Sequence, residues 1–457
     1  MKVLLISSNV AKTPYTIYPL GMSMVAAALK NAGINVEQRD YLKSEKSLDV
    51  LKEGLKKVEP DIVGISIRNI DNVNLMNEQR YIDAVTDIVA MIKKNSKAVV
   101  VLGGSGFSIM PNVILQETGA DYGIVGEGEE LMVKFAKDIE KGIFPKEKCI
   151  RSRAPISGGV IPNALYDSDL MKYYLQSGNV ASIQTKRGCS CKCVYCSYPL
   201  LEGSKIRARD PKAVVDDVQE LHEQYGAKLI FFTDSVFNDS QGEYLKVVKE
   251  MKNRNINVPW TAFFTPKGLT DESIELMKST GLRAAELGSD APTDTTLKKL
   301  GKSFLFRDVI GSNDLFVKHE VAVAHYYMFG CPGETKETVL EGIENIKRLK
   351  NSVSFIFMGI RILPGTPLLK IAEDNGVIEK GGDLLDSVYY IDPAIEKEWL
   401  EKTLTEAFKG IRNCIFPPDA LDGSLQFLHK MGYSGCLWDM LLKGKEKRKR
   451  HMSYDSK

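Results

Sequence analysis

The sequence is short of histidine. Five occur in 457 residues, His222, His319, His325, His429 and His451, so everything before His222 has no imidazole to offer a metal. Charge of one sign is lacking too. Lys and Arg number 61 against 59 Asp and Glu, a formal net charge of +2, and the chain as a whole has no electrostatic bias towards nucleic acid or an anionic membrane. The one basic run, Lys443–His451, reads as a solvated tail. No apolar run approaches the ~20 residues of a membrane span, so no integral membrane segment is expected. The opening Met1-Lys-Val-Leu-Leu-Ile-Ser has no cleavage-site pattern behind it and reads as a strand, not a signal peptide. That strand is followed by Ser7-Ser-Asn-Val-Ala-Lys12 and not by G-x-G-x-x-G, which speaks against a dinucleotide site. Of the eight cysteines, four crowd into one stretch while Cys149, Cys331, Cys414 and Cys436 are scattered. That is the usage of a cytoplasmic, oxygen-sensitive protein and not of a disulfide framework.

An apolar content of 44% supports a sizeable core, and the length suggests about two to three domains. Over residues 1–148 strands alternate with helices: Lys2–Asn9, Val36–Asp40, Asp61–Ile67, Ala98–Gly103 and Asp121–Val125 as strands, Gly21–Asn31 and Glu129–Lys141 as helices. Such βα alternation with near-continuous β-branched strands predicts a parallel, doubly wound, Rossmann-like sheet. Its ligand belongs beyond the C-terminal strand ends. Glycines gather there, in Gly103-Gly104-Ser105-Gly106 and Gly126-Glu127-Gly128-Glu129, where they let backbone approach a large ligand closely.

The crowded cysteines lie in Thr185-Lys-Arg-Gly-Cys189-Ser-Cys-Lys-Cys193-Val-Tyr-Cys196-Ser-Tyr-Pro199. Cys189, Cys193 and Cys196 have the spacing C-x3-C-x2-C. Three thiolates on one loop can hold three irons of a 4Fe–4S cluster, which most often takes four. One iron is then left open. A zinc knuckle wants four ligands, usually as C-x2-C pairs, and no second pair or Cys-His partner follows. Cys191, inside the loop, reads as a bystander.

After a Pro/Gly-punctuated linker, residues 149–178, further βα units follow over 179–375. The strands are Val180–Thr185, Lys228–Thr233, Trp260–Thr265, Ala284–Gly288, Ala324–Phe329 and Phe355–Ile362. The helices between them are Pro211–Tyr225, Glu243–Arg254, Thr270–Ser279 and Thr335–Lys350. Functional groups of such barrels gather at the C-terminal strand ends. Here these carry Asp234, Glu286-Leu-Gly288-Ser289-Asp290, Cys331-Pro-Gly-Glu334 and Arg361. Glu334 is expected as a capping-box residue, Asp234 equally as an N-cap, and Cys331 as a packed small side chain. In residues 376–457 the pattern weakens to amphipathic helices, Ala394–Arg412 and Ala420–Met431, with a third around Cys436–Leu442.

The cysteine spacing with Tyr195 before the last cysteine resembles the radical SAM family. The blocks at Pro19-Leu-Gly-Met-Ser, Asp61–Asn69, Gly103-Gly104-Ser105, Gly126–Glu129 and the four barrel-strand ends, in that order over about residues 1–375, resemble the cobalamin-binding members of that family. The resemblance implies an N-terminal cobalamin-binding sheet, a partial (β/α)6 barrel and a small, mainly helical C-terminal region that closes the substrate pocket or docks a carrier protein. It implies three cofactors: a 4Fe–4S cluster on Cys189, Cys193 and Cys196; S-adenosyl-L-methionine (SAM) on the open iron; and cobalamin. By the same resemblance SAM is met by Tyr195, Asp234, Glu286, Ser289, Asp290 and Arg361. Cobalamin is met by Ser66, Arg68, Asn69, Gly103, Gly104, Ser105, Gly126, Glu127, Gly128 and Glu129.

The D-x-H-x-x-G segment that gives some cobalamin proteins a histidine ligand is missing, and Arg68 is the residue expected below cobalt instead. The activity implied is methylation of an unactivated carbon through methylcobalamin and a 5′-deoxyadenosyl radical. The substrate would be a small molecule or a carrier-bound one, and the electron donor a flavodoxin or ferredoxin. Some relatives use the same parts for cyclisation or rearrangement. The alternative of another class is a non-catalytic cobalamin- or redox-sensing protein.

Overall fold

A computed structural model describes residues 1–152 and 154–442. The basic run Lys443–His451 lies outside the described residues. Among these, no helix is long and apolar enough to cross a membrane.

The first sheet has six strands, β1 (Lys2–Ser7), β2 (Asn35–Asp40), β3 (Ile62–Ser66), β4 (Val99–Gly103), β5 (Tyr122–Val125) and β6 (Cys149–Arg151), in the order β2-β1-β3-β4-β5-β6. All pairings are parallel. Strand alternation explains why both faces are apolar. Leu4, Ile6, Val63 and Ile65 pack with helices Leu48–Val58 and Ile82–Asn95, while Val3, Leu5, Ile62 and Val101 pack with Leu20–Asn31 and Glu129–Glu140. The strand order reverses between β1 and β3, so a crevice opens beyond Ser7 and Ser66, where doubly wound sheets take their ligands.

The second sheet curves into a partial barrel of parallel strands: β7 (Val180–Ile183), β10 (Leu229–Phe232), β11 (Trp260–Phe264), β12 (Leu282–Asp290), β13 (Ala322–Phe329), β14 (Ser352–Met358) and β17 (Cys414–Ile415). Two small antiparallel pairs complete the set, β8 (Lys186–Arg187) with β9 (Arg207–Ala208) and β15 (Ile360–Arg361) with β16 (Tyr389–Tyr390). Ile230, Phe232, Ala262, Phe264, Ala285 and Leu287 face the surrounding helices. Leu229, Phe231, Ala284 and Ala324 face a lumen that Tyr15, Cys436 and Trp438 help to fill.

Three differences from the sequence expectations matter. The linker is not free chain: β6 adds to the first sheet, and the helix Ser168–Leu175 is tied to that sheet by Tyr174, whose hydroxyl donates to Asp40 at 2.8 Å. The C-terminal region is not only helical, because β17 pairs with β14 as a seventh barrel strand. Its first helix is shorter than expected, Lys397–Phe408, and its third is a single 3-10 turn, Trp438–Leu441. Glu334 is not a capping-box residue. Thr335 and Thr338 form the box for helix Lys336–Arg348, and Glu334, fully buried, accepts from the backbone N–H groups of Gly330 and Cys331. Cys331 is packed, with its thiol on the Met328 carbonyl at 3.2 Å.

Candidate active site

A cavity of about 560 Å³ lies between the two sheets. Every residue named above as a candidate corrin contact lines it, from Ser66 and Arg68 to Glu129. Across from them stand Ser182, Gln184, Arg187, Ser197, Tyr198 and Phe263, from the cluster loop, its stem and the barrel mouth.

The first-domain wall is backbone and small side chains by necessity. Gly104 has φ +95°, and a Cβ there would come within 2.5 Å of the Ile67 carbonyl oxygen. Ser105 donates to the Arg68 carbonyl at 2.7 Å. Ser108 accepts from Gly126 N–H at 2.8 Å and donates to the Gly104 carbonyl at 2.9 Å. The two glycine segments are thereby held as one surface, smooth enough for a broad planar ligand such as a corrin. Arg68 stands in the cavity accessible to solvent yet ringed by protein, and this loss of bulk water lowers its pKa from the usual arginine value. No carboxylate among the described residues pairs with its guanidinium. Among the described residues no histidine lines the cavity.

The cluster loop hangs from a rigid stem. Asp234, on the turn after β10, is buried and accepts from Thr185 N–H at 2.7 Å, Lys186 N–H at 3.2 Å and Lys186 Nζ at 3.0 Å. Its oxygens are thus committed to the stem. Asp234 is neither the expected N-cap nor a free ligand group; Asp239 takes the N–H groups of Glu243 and Tyr244 at the next helix. Gly188 follows, at φ +90°, with its α-carbon packed so that a Cβ would lie 2.0 Å from the Lys205 carbonyl oxygen. Only glycine fits there.

Within the loop Cys189 is buried and Cys193 and Cys196 are half-buried. Cys191 is not remote from them. Hydrogen bonding with the Cys191 thiol, helped by the Lys302 ammonium, pulls the Cys189 and Cys193 thiols down to about 6. Burial pushes Cys196 up to about 12. Low thiol pKa favours the thiolate that iron binds. Among the described residues no group of three or more His, Cys, Asp or Glu converges as a single-ion site would require. Thiols that each take a different iron of a cluster need not converge.

Beside the loop is a group the sequence reading half missed. Lys302 Nζ lies 3.0 Å from Cys193 Sγ and 3.1 Å from the Tyr195 hydroxyl, and it pairs with Asp290. Tyr195 donates to Asp290 at 2.7 Å. Asp290 has φ +59°, a left-handed conformation uncommon outside glycine. Tyr195 and Asp290 are therefore together and next to the cluster loop. The other expected SAM contacts are elsewhere. Ser289 is fully buried against His325 at 2.8 Å. Arg361 is buried in an ion pair with Asp71 of the first domain at 2.8 Å. Glu286 faces the barrel lumen, accepting from the Tyr326 hydroxyl at 2.7 Å.

Glu127 and Glu129 line the cavity, but they also clasp the two domains. Arg187, two residues before Cys189, pairs with Glu127 at 3.0 Å and with Glu129 at 2.5 Å, and Arg207 pairs with Glu127 at 2.8 Å. The clasp is buried, and the Glu129 Oε2 atom has no partner. Thr185-Lys-Arg before the first cysteine, and Gly-Lys302-Ser after β12, were the only traces of these groups in the sequence.

Two family models match the chain: the B12 binding domain over residues 6–136 and the radical SAM superfamily over residues 183–346. The chain belongs to the cobalamin-binding radical SAM family. Among curated proteins it is 23% identical to the tryptophan 2-C-methyltransferase of Streptomyces laurentii over 445 residues, covering 80% of this chain and 74% of that protein. It is 26% identical to an uncharacterized methyltransferase of Pyrococcus horikoshii, covering 79% of each. Its fold matches the radical SAM methyltransferase TsrM of Kitasatospora setae, solved with tryptophan and a SAM analogue, at a TM-score of 0.85 and 22% identity over the whole of both chains. It also matches OxsB, a cobalamin-dependent SAM radical enzyme, at 0.69 and 14% identity, covering 99% of this chain and 74% of that one. Taken together, this is a cobalamin-binding radical SAM protein, its first domain the one that takes cobalamin and its second the one that takes SAM with a 4Fe–4S cluster.

Proposed function

We propose that the enzyme methylates an unactivated carbon of a small-molecule or carrier-bound substrate held between its two sheets. The observation that carries this reading is the shared cavity, with the corrin surface on one wall and the cluster-loop stem on the other. When bound, the cluster with SAM supplies a hydrogen-abstracting radical, and cobalamin supplies the methyl carrier.

The chain's own residues do the rest. Cys189, Cys193 and Cys196 would hold the cluster, one thiolate fewer than most clusters take. Lys302 sets a positive charge beside Cys193, and Tyr195 and Asp290 hold that ammonium and would meet SAM. Ser66, Asn69, Gly103, Gly104, Ser105, Gly126 and Gly128 form the corrin surface. Arg68, which lines the cavity and pairs with no carboxylate among the described residues, would meet cobalamin from this wall and has no lone pair to offer a metal. Glu127 and Glu129 act chiefly through Arg187, keeping the two halves in register, and Asp234 acts through the stem. Cys436 and Trp438 of the C-terminal region pack into the lumen and take space that water would fill, which protects reactive species. Electrons come from a flavodoxin or ferredoxin.

Anaerobic reconstitution with iron, sulfide and cobalamin, followed by reductant and SAM labelled in its methyl group, tests the reading. Release of both 5′-deoxyadenosine and S-adenosylhomocysteine, with label in a product, is expected. Release of neither from fully loaded protein in the presence of candidate substrates would favour a binding protein.

A further inference from the structure

The barrel lumen adjoining the cavity is walled by aromatic rings and holds the Glu286 carboxyl group. Phe231, Phe263, Tyr326 and Phe355 follow one another around the wall, with successive ring centroids 5.1, 6.1 and 5.3 Å apart. The wall is not closed core. Phe263 is 36% exposed, Tyr326 is half-buried, and Phe231 and Phe263 line the cavity.

Glu286 lies on β12 between them, in register with Phe263 on one side and Ala324 on the other. Its Oε2 accepts from Tyr326 at 2.7 Å, and its Oε1 has the Cys436 thiol at 3.8 Å. Both neighbours belong to the lumen and neither to the cluster loop. Among the described residues no Lys, Arg or His stands within ion-pair distance of Glu286.

Several other buried carboxylates near the two sheets' junction have cations: Glu127 and Glu129 share Arg187, Asp71 has Arg361, and Asp290 has Lys302. Those without one have backbone N–H donors instead, two for Glu334 and one, beside the Tyr174 hydroxyl, for Asp40; Glu286 has no backbone donor among the described residues. A carboxylate kept from water without a countercharge is costly, and burial pushes Glu286 up to about 7. A ligand that brings a positive charge would remove the cost, and the faces of the surrounding rings attract cations as well.

We infer that the lumen is a chamber for an organic cation, a substrate with a protonated amine on an aromatic or apolar body. The amine stands against Glu286 and the ring faces, and the body extends towards the cavity. The inference rests on the reading of the cavity as the site of methyl transfer, and it gives Glu286 to the substrate and not to SAM.

The test uses the holoenzyme, anaerobically loaded with cluster and cobalamin and saturated with SAM. Tryptamine and 3-indolepropionate serve as probes, alike in ring and opposite in charge, with binding followed by calorimetry. Tryptamine is expected to bind at least about tenfold tighter than the acid, a difference one desolvated ion pair can supply. Glu286→Gln should abolish the preference while iron content, cobalamin content and SAM affinity stay at wild-type values. Phe263→Leu, at an accessible ring, should weaken tryptamine about fivefold, in the range of a partly desolvated cation–π contact, and it carries the test if Glu286→Gln does not fold. Fully loaded wild type that binds the amine no better than the acid, or a preference that survives both variants, overturns the chamber alone. A loss of SAM affinity in Glu286→Gln overturns it by giving the carboxyl back to SAM. Failure of wild type to take up cluster or cobalamin overturns the methyl-transfer reading itself.

Discussion

Removing the clasp at Arg187 should loosen the cluster loop and the corrin wall together. Among the described residues Arg187 supplies the only cation in an ion pair with Glu129 and one of the two that pair with Glu127. Arg187→Met therefore strands the Glu129 carboxylate in a buried place, while Glu127 keeps Arg207. Breaking a buried ion pair from one side costs about 3–5 kcal/mol, and the retained Arg207 pair argues for the lower end, about 3 kcal/mol. In a chain of several domains this loss is read best locally. Amide exchange at residues 186–189 and 126–129 should speed up by about 150-fold if both segments open by way of this contact. Cobalamin affinity should fall with it. The double change Arg187→Met with Glu129→Met should recover most of the loss, because it removes the stranded charge and not only its partner. Exchange altered by less than about fivefold, or a double variant no better than the single one, would refute the coupling.

Gly104→Ala should reduce cobalamin retention and lower the melting temperature, since its Cβ would press to 2.5 Å from the Ile67 carbonyl oxygen at φ +95°; a loss of about 1–3 kcal/mol is expected. Glu334 should make stability fall as pH rises. Burial raises its pKa from 4.5 to about 8, so between those values the folded chain keeps a proton that the unfolded chain has released, with a limiting slope of about 1.4 kcal/mol per pH unit. Denaturation midpoints across that window should show the slope in wild type and a flatter line in Glu334→Gln. Arg68→Ala should admit an oxygen ligand on the lower face, read as a changed electron paramagnetic resonance spectrum of bound cob(II)alamin; an unchanged spectrum would remove Arg68 from that role.

The strands of both sheets were legible because parallel strands buried on two faces leave β-branched runs, as in Ile62–Ser66 and Ser352–Met358. The glycine segments were legible for a related reason: only glycine tolerates the backbone at Gly104. The short strands β6 and β17 were not legible, since two or three residues hold no periodicity and their pairing is decided by tertiary neighbours. At the site, Cys189, Cys193 and Cys196 announced themselves by spacing, whereas Lys302 acts from more than a hundred residues away in sequence. Arg187 looked like any surface arginine until Glu127 and Glu129 were folded against it. Asp234 and Arg361 show the converse case. Charged residues at strand ends read as ligand groups, and the sequence held no sign that Lys186 and Asp71 would pair with them inside the protein.

The central claim is that three thiols of one loop hold a cluster facing a cobalamin held by the other sheet. Iron, sulfide and cobalamin counted on the same anaerobically reconstituted sample test it most directly. Wild type and Cys191→Ala should each carry about four irons and one cobalamin per chain, while the variant with alanine at Cys189, Cys193 and Cys196 keeps the cobalamin and loses the iron. Iron that persists in that variant, or wild type from which cobalamin elutes free, would contradict the account.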